Sequence, residues 1–181
     1  MPSSGPNSGG TFASDPTVAG DAWNFPSNAA ASNDGYASKV VGAGGNTELL
    51  KCTGFGFAVP GGSTIDGILV EVERQGGCRD NSVRLYKAGT PSGSDKATAT
   101  TWPGSDAYAS YGGAADLWGT TWTASDVNDS GFGAGVSALN NTGGAAGAYV
   151  DHVRITVYYT AAAAGGMAHR RRSSMRTLRC M

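Results

Sequence analysis

Two stretches of the chain alternate apolar and polar positions with a period of two, and they predict its clearest strands. In the first, Ile68, Val70 and Val72 fall on one face, while acidic residues occupy most of the other. The second runs from about residue 148 to residue 160, where valine, isoleucine and tyrosine alternate with polar residues. Such alternation is typical of an antiparallel sheet with one buried face and one face toward water.

Shorter apolar runs predict further strands between turns rich in glycine, proline and asparagine. They cover residues 49–59, 82–87, 107–111 and 132–138, with an edge strand over 96–101. We expect Val83 and Leu85 to point inward and Tyr86 outward, and Thr123 to be the N-cap of one helical turn. About eight short strands and almost no helix indicate an all-β fold, an antiparallel β-sandwich of the jelly-roll or Ig-like type.

The chain divides into three parts by composition. Residues 1–35 are rich in serine, glycine, asparagine and proline, which predicts an extended N-terminal arm. Because this arm contains Phe12 and Trp23, we expect it to pack partly on the body or on a neighbouring subunit. Residues 36–160 form the predicted sandwich domain, and residues 161–181 form a linker and an arginine-rich C-terminal tail.

The charge is low and unevenly placed. Charged residues make up 15% of the 181 residues, against about 25% in ordinary soluble domains. All fourteen acidic residues lie between Asp15 and Asp151, whereas five of the thirteen basic residues lie in the last twelve positions. We therefore take the tail arginines as candidate partner-binding residues, and they are Arg170, Arg171, Arg172, Arg176 and Arg179.

That tail has three open interpretations, a disordered tail, a docking peptide or a nucleic-acid arm. A nucleic-acid partner for the protein as a whole is not expected, because the body has no basic stripe. The N-terminus shows neither a charged nor an apolar leader segment, and no apolar run is long enough to span a bilayer. We expect synthesis in a cytoplasm and no membrane partner.

The candidate chemical groups do not combine into an active site. Asp151 precedes His152 on a predicted strand, so their side chains should point to opposite faces, and His152 is expected to face outward. Glu71 and Glu73 share one face, as the paired carboxylates of a glycosidase would, but no cleft accompanies them. The sequence therefore predicts no enzyme, and a lyase or glycosidase on a jelly roll is the weakest hypothesis.

No metal or cofactor site is expected either. Asp126, Asn128 and Asp129 gather acidic and amide oxygens, but they lack the glycine and distal glutamate of a calcium loop. A helix cap followed by a turn is the better explanation of these residues. Cys52 and Cys78 could form a disulfide if their strands are neighbours, or each could be a small buried apolar residue.

Five aromatic residues between positions 102 and 122 form the most conspicuous remaining group. They could stack against a sugar, plug one end of the sandwich or line a subunit interface, since aromatic residues are enriched in all these settings. The residues are Trp102, Tyr108, Tyr111, Trp118 and Trp122.

Several motifs together resemble those of β-sandwich structural proteins that tailed bacteriophages and prophages encode, among head decoration (cement) proteins and tail or fibre proteins. The resemblance covers roughly residues 20–160 and excludes the arginine-rich tail. Its motifs are Ile65-Asp66-Gly67-Ile68 with residues 70–74, Trp102-Pro103 with residues 105–108, Tyr111-Gly112-Gly113, residues 116–119, Trp122-Thr123 with residues 126–128, and residues 150–159.

The resemblance implies a structural component of a virion, without catalytic residues. The leading hypothesis is a capsid decoration protein that binds the outer surface of the major capsid protein shell and stabilises it, as a homo-oligomer with a trimer favoured. It implies location on the capsid surface after synthesis in the host cytoplasm. The alternative is a tail or fibre module that binds host-surface glycans through the tryptophan and tyrosine group.

Overall fold

The computed structural model describes residues 1–163, which form two antiparallel β-sheets of five strands each. Apolar side chains from both sheets join in one core. The predicted β-sandwich is therefore confirmed. The strands are β1 (Ser3–Ser8), β2 (Thr11–Asp15), β3 (Ala37–Val41), β4 (Leu49–Thr53), β5 (Thr64–Gly76), β6 (Arg79–Lys87), β7 (Thr90–Ser92), β8 (Ala107–Gly113), β9 (Gly133–Leu139) and β10 (Ala146–Thr160).

The first sheet is built around β10 and β5, the two segments with the clearest alternation. Its order is β1, β10, β5, β8, and β3 also pairs with β10. Strands β1 and β3 share one side of β10, because β3 pairs with residues 146–150 and β1 with residues 154–158. The predicted inward residues Ile68, Val70 and Val72 of β5 are all buried in the core.

The second sheet has the order β2, β4, β9, β6, β7. Its central strand β9 is almost wholly buried, and it contains glycine where a neighbour approaches closely. A Cβ on Gly135 would lie 2.7 Å from the Tyr86 ring, so glycine makes room for that ring. Tyr86, predicted to point outward, is fully buried, and its hydroxyl donates to Asp15 Oδ2 at 2.9 Å.

The first 35 residues contribute one strand to each sheet, where the sequence predicted an extended arm. Strand β1 pairs with β10, and β2 pairs with β4. An edge strand needs hydrogen bonds on one side only and few buried side chains, so no alternation marks it in the sequence. With β3 and β7 also unpredicted, the strands number ten among the described residues instead of about eight.

The edge strand predicted over residues 96–101 is absent, and acidic side chains explain why. Asp95 Oδ1 accepts from the backbone N–H of Ala97 at 3.0 Å, and Asp80 Oδ2 accepts from that of Thr98 at 3.0 Å. These bonds occupy backbone donors that a ladder would use. The strand predicted over 49–59 also ends earlier, at Thr53.

The predicted helical turn is confirmed as α1 (Ala124–Asn128), with Thr123 as its N-cap. The Thr123 side chain accepts from the backbone of Asp126, and the Asp126 carboxylate accepts from the backbone of Thr123, which forms a capping box. A 3-10 turn, Pro26–Ala29, contacts β2, β3 and β10. Within residues 1–163 no helix has the length and apolar character needed to cross a membrane.

Candidate functional site

Four of the five residues in the predicted aromatic group lie inside the sandwich. Trp102, Tyr111, Trp118 and Trp122 are all at least nine-tenths buried and belong to the core, while Tyr108 is half-buried. Of the settings that the sequence left open, the structure places these four rings in the core of the chain itself. They form no exposed platform on which a sugar could stack.

Two of these rings enclose a buried ion pair. The Arg74 guanidinium pairs with Asp80 Oδ1, and both side chains are almost completely buried. The guanidinium lies 4.9 Å from the centre of the Trp102 ring and 5.5 Å from that of Tyr111. Burial raises the pKa of Tyr111 to about 12, against the charge of Arg74, which lowers it.

Asp80 is held by donors from several segments. Its Oδ1 also accepts from Trp102 Nε1 at 2.8 Å, and its Oδ2 accepts from the Tyr111 hydroxyl at 3.0 Å and the Thr98 hydroxyl at 2.9 Å. A buried ion pair needs such extra bonds to offset the loss of hydration. This network fastens β5, β6, β8 and the segment before β8 to one another, so the aromatic residues have a structural role.

A second polar network lies around His152 on β10. Its Nε2 is 2.8 Å from the Ser8 hydroxyl on β1, and its Nδ1 is 2.8 Å from the Tyr108 hydroxyl on β8. The sequence predicted an outward-facing side chain, but His152 is nine-tenths buried. Burial, and then the charge of Arg154, lower its pKa, which favours the neutral ring as a hydrogen-bonded link between strands.

The glutamates of β5 are not a free pair of carboxylates. Glu71 accepts two hydrogen bonds from Arg154, at 2.9 and 3.0 Å. The same guanidinium lies 4.0 Å from the centre of the Tyr108 ring. Glu71 is therefore occupied by a bidentate ion pair, so Glu71 and Glu73 are not two equivalent free carboxylates.

A β-bulge at Asp151 interrupts the alternation of β10. Val150 pairs with Arg74 and His152 pairs with Glu73, so Asp151 is the extra residue. The bulge lets both Val150 and Val153 enter the core, although they are three positions apart, an odd number that would put them on opposite faces of a regular strand. The expectation that Asp151 and His152 point to opposite faces assumed a regular strand, and the bulge removes that premise. The two side chains bond to different partners.

Three aspartates converge beside this bulge. Asp34 lies in the loop before β3, Asp106 immediately precedes β8, and Asp151 lies on β10. One carboxylate oxygen from each lies within 4.8 Å of the others. The Tyr36 hydroxyl donates to Asp106 Oδ2 at 2.6 Å, and this bond is the main reason that the pKa of Tyr36 rises to about 12. Residues 34, 106 and 151 are too far apart in sequence for any spacing to reveal this group.

The acidic and amide side chains around α1, which the sequence did not predict to bind calcium, have other roles. Asp126 belongs to the capping box. The Asn128 side chain bonds to both the backbone N–H and the carbonyl of Val59, each at 2.9 Å. Asp129 Oδ1 accepts from the backbone of Gly131 at 2.7 Å. The cap-and-turn interpretation of these residues is the one that the structure shows.

Of the predicted partner contacts, the two aromatic residues of the N-terminal segment pack against the chain's own core. Trp23 is almost fully buried, and its Nε1 donates to the Glu48 carbonyl at 2.8 Å. Phe12 on β2 is half-buried against the core. The five tail arginines, Arg170, Arg171, Arg172, Arg176 and Arg179, lie outside the described residues.

The large apolar side chains that remain exposed lie near the start of the chain. Within residues 1–163 they are Met1, Phe25 and Val40, and the last two are 70% and 62% exposed. Phe25 follows Asn24, whose backbone exchanges two hydrogen bonds with Ser38 of β3. Val40 lies on β3 itself, two residues beyond Ser38. Because the Asn24–Ser38 bridge is antiparallel, the chain after Asn24 runs toward Ala37 and away from Val40.

Cys52 and Cys78 are both buried and free. No pocket is found in the described part of the chain.

Comparisons with protein families, with curated proteins and with solved structures find no match to this chain.

Proposed function

We propose that this protein is a capsid decoration protein of a tailed phage, which binds the outer surface of the major capsid shell and stabilises it. The sequence resemblance to β-sandwich virion proteins is one support, and the all-β sandwich fold agrees with it. In this proposal the mechanism is burial of surface across subunit boundaries. A modest free energy at each site, repeated over many copies, then resists disruption of the shell.

The observation that carries this proposal over its alternative is the burial of the aromatic group. A fibre module that binds host glycans through these rings needs them on the surface, because sugars stack on exposed ring faces. Four of the five rings are core residues instead. A decoration protein that contacts neighbouring subunits through its loops and edge strands does not need exposed aromatic rings.

The exposed side chains of Phe25 and Val40 are the proposed contacts with the shell. Burying such large apolar side chains against a partner would contribute favourable free energy to binding. The N-terminal segment was expected to reach a neighbour through Phe12 and Trp23, and Phe25 takes that place in the proposal. The arginine-rich tail remains a second proposed contact, and a homotrimer around a symmetry axis remains the proposed oligomer.

The test is co-sedimentation of the full chain with undecorated shells of the phage that encodes it. We expect saturable binding at hundreds of copies per shell. We also expect Phe25→Asn with Val40→Thr to weaken binding at least about tenfold, the equivalent of about 1.4 kcal/mol. Asparagine tolerates the left-handed backbone of Phe25, at φ 51°, and threonine keeps the β-branch of valine, so both changes should leave the fold intact.

Val18→Thr is the matched control, because Val18 is a half-buried valine outside the strands. It should bind like the unaltered chain. Deleting residues 167–181 should weaken binding and flatten its dependence on salt if the arginines dock on acidic residues. An absence of binding by the unaltered chain would contradict the decoration role, and undiminished binding by the Phe25 and Val40 variant would contradict the proposed contact.

A further inference from the structure

The three converging aspartates hold oxygen atoms that no described residue satisfies. Asp151 is 1% exposed, and its Oδ2 accepts from the backbone N–H groups of Asn33 and Asp34, at 3.0 and 3.2 Å. Its Oδ1 is buried and has no hydrogen-bond partner within residues 1–163. Asp106 repeats this pattern, since Oδ2 accepts from Tyr36 and Oδ1 is buried without a partner. A buried carboxylate oxygen without a donor costs free energy, so such an atom indicates a missing partner.

The group also lacks a compensating positive charge among the described residues. None of the six ion pairs found within residues 1–163 involves Asp34, Asp106 or Asp151. Three carboxylates this close repel one another unless a proton or a cation lies between them.

We propose that Asp34, Asp106 and Asp151 form a binding site for a calcium ion. All three candidate ligand atoms are carboxylate oxygens, which suit a hard divalent cation. The nearby His152 is not a ligand, because both of its ring nitrogens already bond to Ser8 and Tyr108. A zinc site would need nitrogen or sulfur ligands in its place.

The spacing of the oxygens can accommodate calcium, whose loose coordination geometry tolerates such a site better than the strict octahedron of magnesium. Calcium binds oxygen at about 2.3–2.6 Å, so ligands on opposite sides can be up to about 5.2 Å apart, whereas magnesium holds them at most about 4.2 Å apart. The three ligand oxygens lie within 4.8 Å of one another. This spread fits one calcium ion. Asp34 is exposed, which leaves a path for the ion and room for water ligands.

The ion would join three segments that are distant in sequence. Asp151 anchors the site on the β10 bulge, Asp106 on the start of β8, and Asp34 on the loop that donates two backbone N–H groups to Asp151. Calcium would therefore hold the loop of residues 31–36 against the first sheet. This inference concerns the chain alone, and it stands whether or not the protein binds a capsid.

The test is calcium titration of the full chain after treatment with a chelating resin. We expect one ion per chain by calorimetry. At a calcium concentration a hundred times the dissociation constant, Tm should rise by about 5–10 °C. Magnesium at the same concentration should give a much smaller rise. Terbium, which takes calcium sites, should emit on tyrosine excitation, and Tyr36→Phe should weaken that emission because the Tyr36 hydroxyl contacts Asp106.

Two variants locate the site. Asp34→Asn alters an exposed side chain, so it should fold normally and bind calcium at least about tenfold more weakly, because ligand charge sets affinity in such sites. Asp151→Asn should abolish the calcium response and raise the Tm of the metal-free protein, since it removes one of three repelling charges. Asp21→Asn, at an exposed aspartate elsewhere, is the matched control and should change neither quantity.

Equal Tm values with and without calcium would overturn the proposal. A calcium response that persists undiminished in Asp34→Asn and Asp151→Asn would overturn it as well, because the ion would then bind elsewhere. An equal response to magnesium would overturn the choice of calcium.

Discussion

Replacing Asp80 by alanine removes the acceptor at the centre of the buried network in the sandwich. The Asp80 side chain is fully buried and pairs with the Arg74 guanidinium. It also accepts hydrogen bonds from Trp102, Tyr111 and Thr98. The substitution leaves Arg74 as a buried charge without a carboxylate, and it leaves the indole and phenol donors without their acceptor.

The expected loss of stability in Asp80→Ala follows from the burial of both Arg74 and Asp80. Removing one member of a buried ion pair typically costs about 3–5 kcal/mol, and the orphaned donors keep the cost from falling below that range. In a chain of this length each kcal/mol lowers Tm by about 2–4 °C, so Asp80→Ala should lower Tm by about 6–20 °C. That loss is a large part of the 5–15 kcal/mol that stabilises an ordinary protein.

Urea unfolding followed by tryptophan fluorescence and circular dichroism measures this loss. The control is Arg84→Met, which breaks the Arg84–Asp95 pair, whose atoms are 3.4 Å apart and whose side chains are 37% and 30% exposed. It should cost at most about 1 kcal/mol. The double variant Arg74→Met with Asp80→Leu removes both charges, so it should be at least about 1 kcal/mol more stable than Asp80→Ala. A loss of less than about 1 kcal/mol in Asp80→Ala would refute the reasoning.

Three further predictions concern charge, thiols and tryptophans. A hydrogen bond from Lys96 is the main cause that lowers the pKa of Asp116. The stability that this pair contributes is therefore present above the pKa that Asp116 has in the unfolded chain, and it is lost as pH falls through the lower pKa of the folded protein. Lys96→Met should therefore flatten the fall of Tm between about pH 5 and pH 2. In a Cys180→Ser variant, Cys52 and Cys78 should resist a thiol reagent in the native protein and both react in denaturant, because they are buried and burial raises the pKa of each thiol. Acrylamide should quench tryptophan fluorescence weakly in the folded protein and strongly after unfolding, since every tryptophan is at least nine-tenths buried.

A specific outcome would contradict each of these three predictions. Lys39→Met, at a lysine that forms no ion pair within residues 1–163, should keep the pH profile, and an equal flattening there would show that the lost charge alone is responsible. An absence of reactive thiols in denaturant would indicate a disulfide between Cys52 and Cys78. Strong quenching of the folded protein would place tryptophan rings at the surface and restore the glycan hypothesis.

The parts of the fold that the sequence predicts are those with many buried side chains. Strands β5 and β10 are long and lie inside their sheet, so alternation marks them clearly. Strands β1, β2, β3 and β7 lie at edges or are short, and backbone pairing rather than side-chain burial holds them. A signal for the β10 bulge was present, because Val150 and Val153 are both apolar and break the two-residue period.

The candidate sites are harder to predict, because they depend on contacts across the fold. The sequence shows the aromatic group. It does not show that Trp102 and Tyr111 are buried against the Arg74–Asp80 ion pair. The acidic group combines residues 34, 106 and 151, which only the completed sheet brings together. Conversely, the capping box at Thr123 is local, so the sequence predicts it.

The most direct test of the decoration role is the temperature at which undecorated shells disrupt, measured while the protein is added in steps. The account predicts that this temperature rises with bound protein and stops rising when the sites are full. It also predicts a smaller rise for the Phe25→Asn, Val40→Thr variant at equal concentration. A disruption temperature that stays constant while the unaltered protein binds at full occupancy would contradict the claim that this protein stabilises a capsid.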